Sequence, residues 1–425
     1  MNICEMKYAT DQYGTPLYVF DLDKLRRRVH DLREKIDTRI RICFAMKANP
    51  FLTRIMSGLT DRIEVCSMGE YRICGELGIE PENLLISGVL KERDDLHEIL
   101  DHYRGRCSYT IESRRQFYQI VDWCDVNKES VDVFFRLTSG NQFGMDEETM
   151  EDILSLRSMF PYINIRGLHY FSGTQKKSME KIRQELRELD LYCRALEEKL
   201  KFPIQELEYG PGIPVSYFTG QRDQADEMIM QLNREVAAMK WKGRVTLEMG
   251  RALCAACGYY LTTVKDIKQN QKVNYCIVDG GIHQIHYDGQ IRSMYQPIFH
   301  IYAKDLYETE VTHSDRWAQD SDDMEETQTE HEWTICGSLC TANDVLVQNV
   351  KLDQLKIGSV LVFENVGAYA MTEGMSLFLS HDLPGVAFYG EEDGWRLLRG
   401  AKPTYLWNME ETEDERTDEY FDGNR

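Results

Sequence analysis

Between residues 40 and 250 short apolar, β-branched runs alternate with longer stretches of helical periodicity. The runs occupy 41–48 (RICFAMKA), 63–67, 83–88, 108–113, 131–137, 165–171, 206–210 and 245–250. There are eight, about 29 residues apart on average, which leaves room for one strand and one covering helix per repeat. Residues 178–200 illustrate the covering element. Leu186, Leu189, Tyr192, Cys193 and Leu196 fall on one stripe with charge opposite, so an amphipathic helix of about six turns is expected. Eight such units predict an α/β TIM barrel. A doubly wound open sheet also suits the alternation, but it would show a glycine-rich dinucleotide turn after the first strand, and none follows Phe44–Ala48.

From about Ala252 the alternation gives way to strand after strand: YYLTTVKDI, VNYCIVDGG, EWTICGSLC, DVLVQNVKL, SVLVFENVGAY, VAFYG and GWRLLRG. A C-terminal β-rich domain is therefore expected, and TPLYVFD (15–21), ahead of a helix over Leu22–Ile36, adds a strand to it. The expected division is a barrel over 22–252, a β-rich domain from 1–21 and 253–408, and an acidic tail over 409–425.

Charge narrows the partners. The 425 residues carry 50 Lys+Arg against 71 Asp+Glu, a net −21, so nucleic-acid backbones and anionic membranes are repelled on average. The acidity concentrates in 305–332 and 410–422, which read as a solvated excursion and a tail, with a chelating or docking role as the rarer alternative. The apolar runs are of strand length and the N-terminus lacks the pattern of a signal peptide, so a soluble cytoplasmic protein is expected. Twelve cysteines stand singly, Cys43, Cys66, Cys74, Cys193 and Cys276 among them, as reduced core thiols do. Cys254-x-x-Cys257 with Cys336-x-x-x-Cys340 admits a zinc reading, but the first pair lies in ALCAACGYYL, where two buried thiols are the commoner meaning, and no metal is expected.

A barrel carries its chemistry at the C-terminal ends of its strands, with phosphate sites favoured after strands seven and eight. Gly210-Pro211-Gly212 and Gly250-Arg251 fall on those two loops. Each could be an ordinary turn, but together they suit a phosphoryl group held by backbone N–H groups and a guanidinium. Lys47 ends the first strand, either snorkelling from the mouth or held in an apolar pocket as a free amine able to form a Schiff base. Glu64, Glu248, His169 and Phe171 gather on the same rim. A lysine, a carboxylate, an aromatic face and a phosphate cradle suit pyridoxal 5′-phosphate.

The motifs carry a resemblance. From Thr15 to about Phe388 the chain resembles the fold-type III pyridoxal-phosphate decarboxylases, the diaminopimelate, ornithine and arginine decarboxylase family with an alanine-racemase-like barrel and a C-terminal β domain. FAMKAN places the family's Schiff-base lysine at Lys47. IEVCSMGE resembles D-V-x-S-x-G-E with Glu64 in the aspartate's place, and LEMGR resembles E-P-G-R, which implies Glu248 for the pyridine nitrogen and Gly250 and Arg251 for the phosphate. CGSLCTANDVL resembles C-G-P-x-C-x-x-x-D, which implies Cys340 as the catalytic cysteine, and VGAYAMT implies Tyr369 as a phosphate ligand.

There are departures. The family's H-x-H-I-G-S-Q reads His169-Tyr170-Phe171-Ser172-Gly173-Thr174-Gln175, so Phe171 replaces the histidine that stacks on the cofactor ring, while Thr174 keeps a hydroxyl for the phosphate. Proline between Gly210 and Gly212 removes one backbone donor. Thr341 stands where diaminopimelate decarboxylases carry a distal-amine-reading glutamate, and the nearest segment to their R-P-x-x-Y is Arg292-Ser293-Met294-Tyr295. These changes, with the DGGIH segment, look more like the branch serving siderophore and antibiotic assembly, sometimes on a carrier protein. The acidic excursion leans the other way, toward cationic substrates.

The resemblance implies decarboxylation of an amino acid through a Schiff base on Lys47 and a quinonoid, reprotonated by Cys340 or Lys47. It also implies a head-to-tail homodimer with shared active sites, Cys340 and Asp344 reaching the site from the partner, and Cys340, Thr341 and Asp344 as the substrate residues. An amino-acid racemase on the same fold and a cofactor-binding regulatory protein without turnover are the rivals.

Overall fold

A computed structural model describes residues 1–302, 331–353 and 355–410. It divides into two compact units, one of Lys24–Ser216 and Gln221–Ala256, the other of Met1–Asp23, Tyr217–Gly220 and the chain from Cys257 onward.

The first unit is a closed parallel barrel preceded in the chain by β1 (Leu17–Asp21) of the other unit. Its strands are β2 (Ile40–Ala45), β3 (Arg62–Val65), β4 (Leu84–Ile86), β5 (Ser108–Ile111), β6 (Val131–Arg136), β7 (Ile163–Phe171), β8 (Glu206–Gly210) and β9 (Arg244–Met249). All eight expected runs are strands. Closure comes from β9 pairing with β2, which sets Cys43 opposite Glu248. The helix Met179–Leu200 buries the expected stripe of Leu186, Leu189, Tyr192, Cys193 and Leu196, each fully buried side chain of this size contributing about 1.5–3 kcal/mol. Glu185 is buried on that same face, where only apolar residues were expected.

Because side chains alternate across a strand, residues two apart face the same side. Arg62 on β3 donates to Glu206 Oε1 at 2.8 Å and to Glu208, both on β8, while Thr246 on β9 donates to Glu206 at 2.7 Å. This layer is polar yet sealed. Burial pushes the Glu208 carboxyl up to about 8, with Arg62 opposing.

The second unit is a mixed sheet in the order β14-β13-β11-β10-β1-β16-β17, with β15 paired to β10 and β12. Its strands are β10 (Gly258–Asn270), β11 (Val273–Val278), β12 (Phe299–Tyr302), β13 (His331–Cys336), β14 (Val345–Leu352), β15 (Val360–Glu364), β16 (Gly385–Gly390) and β17 (Gly394–Arg399). β1 runs antiparallel to β10 and parallel to β16, so TPLYVFD belongs to this sheet. The helix Ile3–Tyr13 and β12 were not anticipated. The acidic excursion lies outside the described residues except for His331 and Glu332, as does the tail beyond Glu410. Among the described residues no helix is long and apolar enough to cross a membrane.

Candidate active site

Lys47 sits in the single turn Met46–Ala48 that follows β2. Its Nζ donates a short hydrogen bond to Glu64 Oε2 and lies 3.6 Å from Glu248 Oε1, with the side chain 38% exposed. The apolar pocket considered for it is thus an acidic one: β3 and β9, which pair with β2 on either side, each bring a carboxylate to the amine. Cys66, two residues after Glu64, donates from Sγ to Glu64 Oε1 at 3.2 Å and stands 3.7 Å from Lys47 Nζ. Burial and then the Glu64 charge push this thiol well up. Cys66 is half-buried at the site, whereas Cys43, Cys74, Cys193 and Cys276 are buried as core thiols.

Glu248, near the end of β9, accepts from His169 on β7, Nε2 to Oε2 being 2.8 Å. Burial would raise this carboxyl, but Lys47 and then His169 outweigh it and hold Glu248 well below the usual carboxylate range. An ionised Glu248 accepts only, so it fixes the proton on Nε2. His169 Nδ1 is buried with no hydrogen-bond partner among the described residues.

Phe171 ends β7 beside Gly210, which ends β8. A Cβ at Gly210 would lie 2.4 Å from the Phe171 ring, so the ring lies directly against the glycine backbone. Gly212 adopts φ +65°, and a Cβ there would meet Gly173 O at 2.2 Å. The two loops are joined further by Lys176 N to Gly212 O at 2.9 Å and by Val215 N to Gln175 Oε1 at 2.7 Å. Thr174 is exposed between these ties. Gly250 precedes the buried Arg251, which opens the short helix Arg251–Cys254.

Cys340, Thr341, Asp344 and Tyr369 belong to the sheet unit. Cys340 is exposed and Asp344 is buried. Asp344 accepts from the backbone of Ile282 at 2.8 Å and of Leu339 at 2.7 Å, closing the loop that carries Cys340. Tyr369 takes a left-handed φ of 64°. Among the described residues no three His, Cys, Asp or Glu side chains gather as a metal site.

Sequence reasoning missed Cys66, the Arg62–Glu206–Glu208 layer and a buried pair between Arg136 and Glu112, 2.9 Å apart. The alternation of charge in 206–210 was the available signal for the layer; a single cysteine has no spacing to read.

The family described as "Pyridoxal-dependent decarboxylase, C-terminal sheet domain" matches residues 17–367. The chain is 24% identical over 413 residues to the L-glutamyl-[BtrI acyl-carrier protein] decarboxylase of Niallia circulans, covering 90% of this chain and 91% of that one. It is 25% identical over 388 residues to the 2-[(L-alanin-3-ylcarbamoyl)methyl]-2-hydroxybutanedioate decarboxylase of Staphylococcus aureus, covering 86% and 92%. The diaminopimelate decarboxylase of M. jannaschii, solved with L-lysine, shares the fold at a TM-score of 0.76 and 19% identity, covering 96% of this chain and 94% of that one.

Proposed function

The chain belongs to the pyridoxal-dependent decarboxylases, and from that membership we propose that the Lys47–Glu64–Glu248–His169 cluster is the catalytic centre of an amino-acid decarboxylase. The observation that carries the reading is Lys47, an accessible amine set within 3.6 Å of a carboxylate that stays ionised.

The residues present fit pyridoxal 5′-phosphate. The amine suits its aldehyde, an ionised buried carboxylate suits a protonated ring nitrogen, and Phe171 offers an aromatic face. Gly210 and Gly212 let the loops after β7 and β8 approach where a Cβ would collide, beside the exposed Thr174, and Arg251 adds a cation. When bound, the cofactor supplies an aldehyde that condenses with amines and a ring that accepts the electron pair released with carbon dioxide. Lys47 would hold the aldehyde, its Nζ being the accessible amine just after β2. Glu64 accepts from the Lys47 ammonium and fixes where that nitrogen points. Glu248 holds a proton at the ring nitrogen, and His169 keeps Glu248 ionised and oriented. Phe171 stacks and keeps water from one ring face, without the hydrogen bond a histidine would donate there. Gly210, Gly212, Gly250, Arg251, Thr174 and Tyr369 hold the phosphate.

Cys340 would supply a proton at the carbon that loses carbon dioxide, reaching it from a second copy of the chain in a head-to-tail homodimer with shared active sites. Thr341 carries no charge to read a distal ammonium. Two of the curated relatives are named for amino-acid units joined to a larger group. The substrate is accordingly an amino-acid unit whose far end is conjugated, either to a carrier protein or to a small acid.

Carbon dioxide release from a panel of free lysine, ornithine, glutamate and meso-diaminopimelate, together with a glutamyl thioester, tests this. Turnover is expected for the conjugated substrate, and robust turnover of meso-diaminopimelate would overturn the substrate assignment. With added pyridoxal phosphate, borohydride should fix a pyridoxyl group on the peptide carrying Lys47 in the wild type and none there in Lys47→Ala.

A further inference from the structure

Glu185 lies 5% exposed on the buried face of the helix Met179–Leu200, and three donors converge on it. Ser172 Oγ reaches Oε1 at 2.5 Å, while Lys176 Nζ and Tyr209 OH each reach Oε2 at 2.6 Å. Lys176, with 3% of its side chain exposed, also lies over the Tyr209 ring, 5.4 Å from its centroid. Both carboxyl oxygens of Glu185 are thus occupied, and Lys176 brings the buried cation that pairs with it.

The placement along the chain gives the cluster its meaning. Ser172 and Lys176 are the two ends of the loop that displays Gly173 and Thr174, so one carboxylate pins both feet of that loop. Tyr209 is the residue before Gly210, so the same carboxylate also holds the strand that leads into the second glycine loop. Lys176 then ties the two loops directly through its backbone N–H to Gly212 O. Gln175, held at φ 51°, clamps Val215 through both ends of its amide, accepting from N at 2.7 Å and donating to O at 3.3 Å. Every stiffening contact falls on the flanks and leaves the tip, Gly173-Thr174, exposed or half-exposed.

We propose that the buried Lys176–Glu185 pair is the positioning device of the phosphate cradle, fixing the loops after β7 and β8 before any anion arrives. The proposal rests on the assignment of those loops to the cofactor phosphate. Burying an ion pair does little for stability compared with apolar residues of the same volume, so a pair whose donors reach both loops points to their placement. Pre-organised donors bind without a loop-ordering cost, and loosening either foot returns that cost to the binding step.

Inorganic phosphate is the probe, titrated against cofactor-free full-length protein by calorimetry and thermal shift. Wild type and Lys176→Arg, which keeps the cation, should bind it alike. Lys176→Met and Glu185→Gln should each weaken phosphate by about tenfold, an amount equal to about 1.4 kcal/mol, and pyridoxal phosphate by the same factor. Binding of phosphate by Lys176→Met within twofold of wild type would overturn the proposal while leaving the cradle intact. Failure of the wild type itself to bind phosphate would overturn the cradle assignment. Lys176→Met replaces a buried cation by an apolar chain of similar length, so it reads the pair even if Glu185→Gln, which leaves Ser172 and Tyr209 with a poorer acceptor, does not fold.

Discussion

Glu248 owes its ionisation to two neighbours from distant points of the barrel sequence, Lys47 after β2 and His169 on β7. Replacing it by glutamine keeps the shape but removes the charge, and an amide does not hold a proton on a pyridine nitrogen. Glu248→Gln should lower kcat by about 100-fold or more, the scale of losing one preorganised electrostatic partner, with its melting temperature close to wild type. Lys47 and Glu248 were legible because each sits in a short word whose chemistry is unusual for a strand end. Cys66 was not, since twelve scattered thiols give no reason to single one out, and its difference lies only in following β3 directly, beside Glu64 and Lys47. Glu185 could have been read: it falls between Ile182 and Leu189 on the apolar stripe, and a carboxylate on a stripe announces a buried partner.

Among the elements, the barrel strands were legible because each is short, apolar and flanked by a helical period. The helix Ile3–Tyr13 was hidden by its weak amphipathicity, although its capping box is written in the sequence: Asn2 accepts from Glu5 N at 3.0 Å and Glu5 accepts from Asn2 N at 2.6 Å. β12 has only four residues beside the acidic run, too few to show an alternation. Between β11 and β12 of the sheet unit lies His283, fully buried, with neither ring nitrogen hydrogen-bonded among the described residues, its ring 5.0 Å from that of His381. Burial, aided by His381, lowers its pKa from 6.5 to about 4. The unfolded chain therefore takes up this proton first, and the stability tied to a neutral His283 is full above pH 6.5 and is lost as the pH falls toward 4. Urea denaturation across that interval should show a slope that His283→Leu flattens; an unchanged slope would locate the titration elsewhere.

At the scale of the whole molecule the residues implied by the resemblance divide between two units, Lys47 and Glu248 in one, Cys340 and Tyr369 in the other. A head-to-tail homodimer has a direct signature. Mixing inactive Lys47→Ala with inactive Cys340→Ala, under conditions where subunits exchange, should recover about a quarter of the wild-type activity, because random pairing makes one intact site in half of the dimers. No recovery would place both groups of each site on one chain.

The register of β2 against β9 fixes one more property. Lys47 and Glu248 become neighbours only when the last barrel strand closes on the first, with Cys43 opposite Glu248. A nascent chain that has emerged only as far as β8 holds the amine without its partner carboxylate. The amine and its carboxylate neighbour thus report the completed ring, because the pair does not exist until the circle of strands is closed.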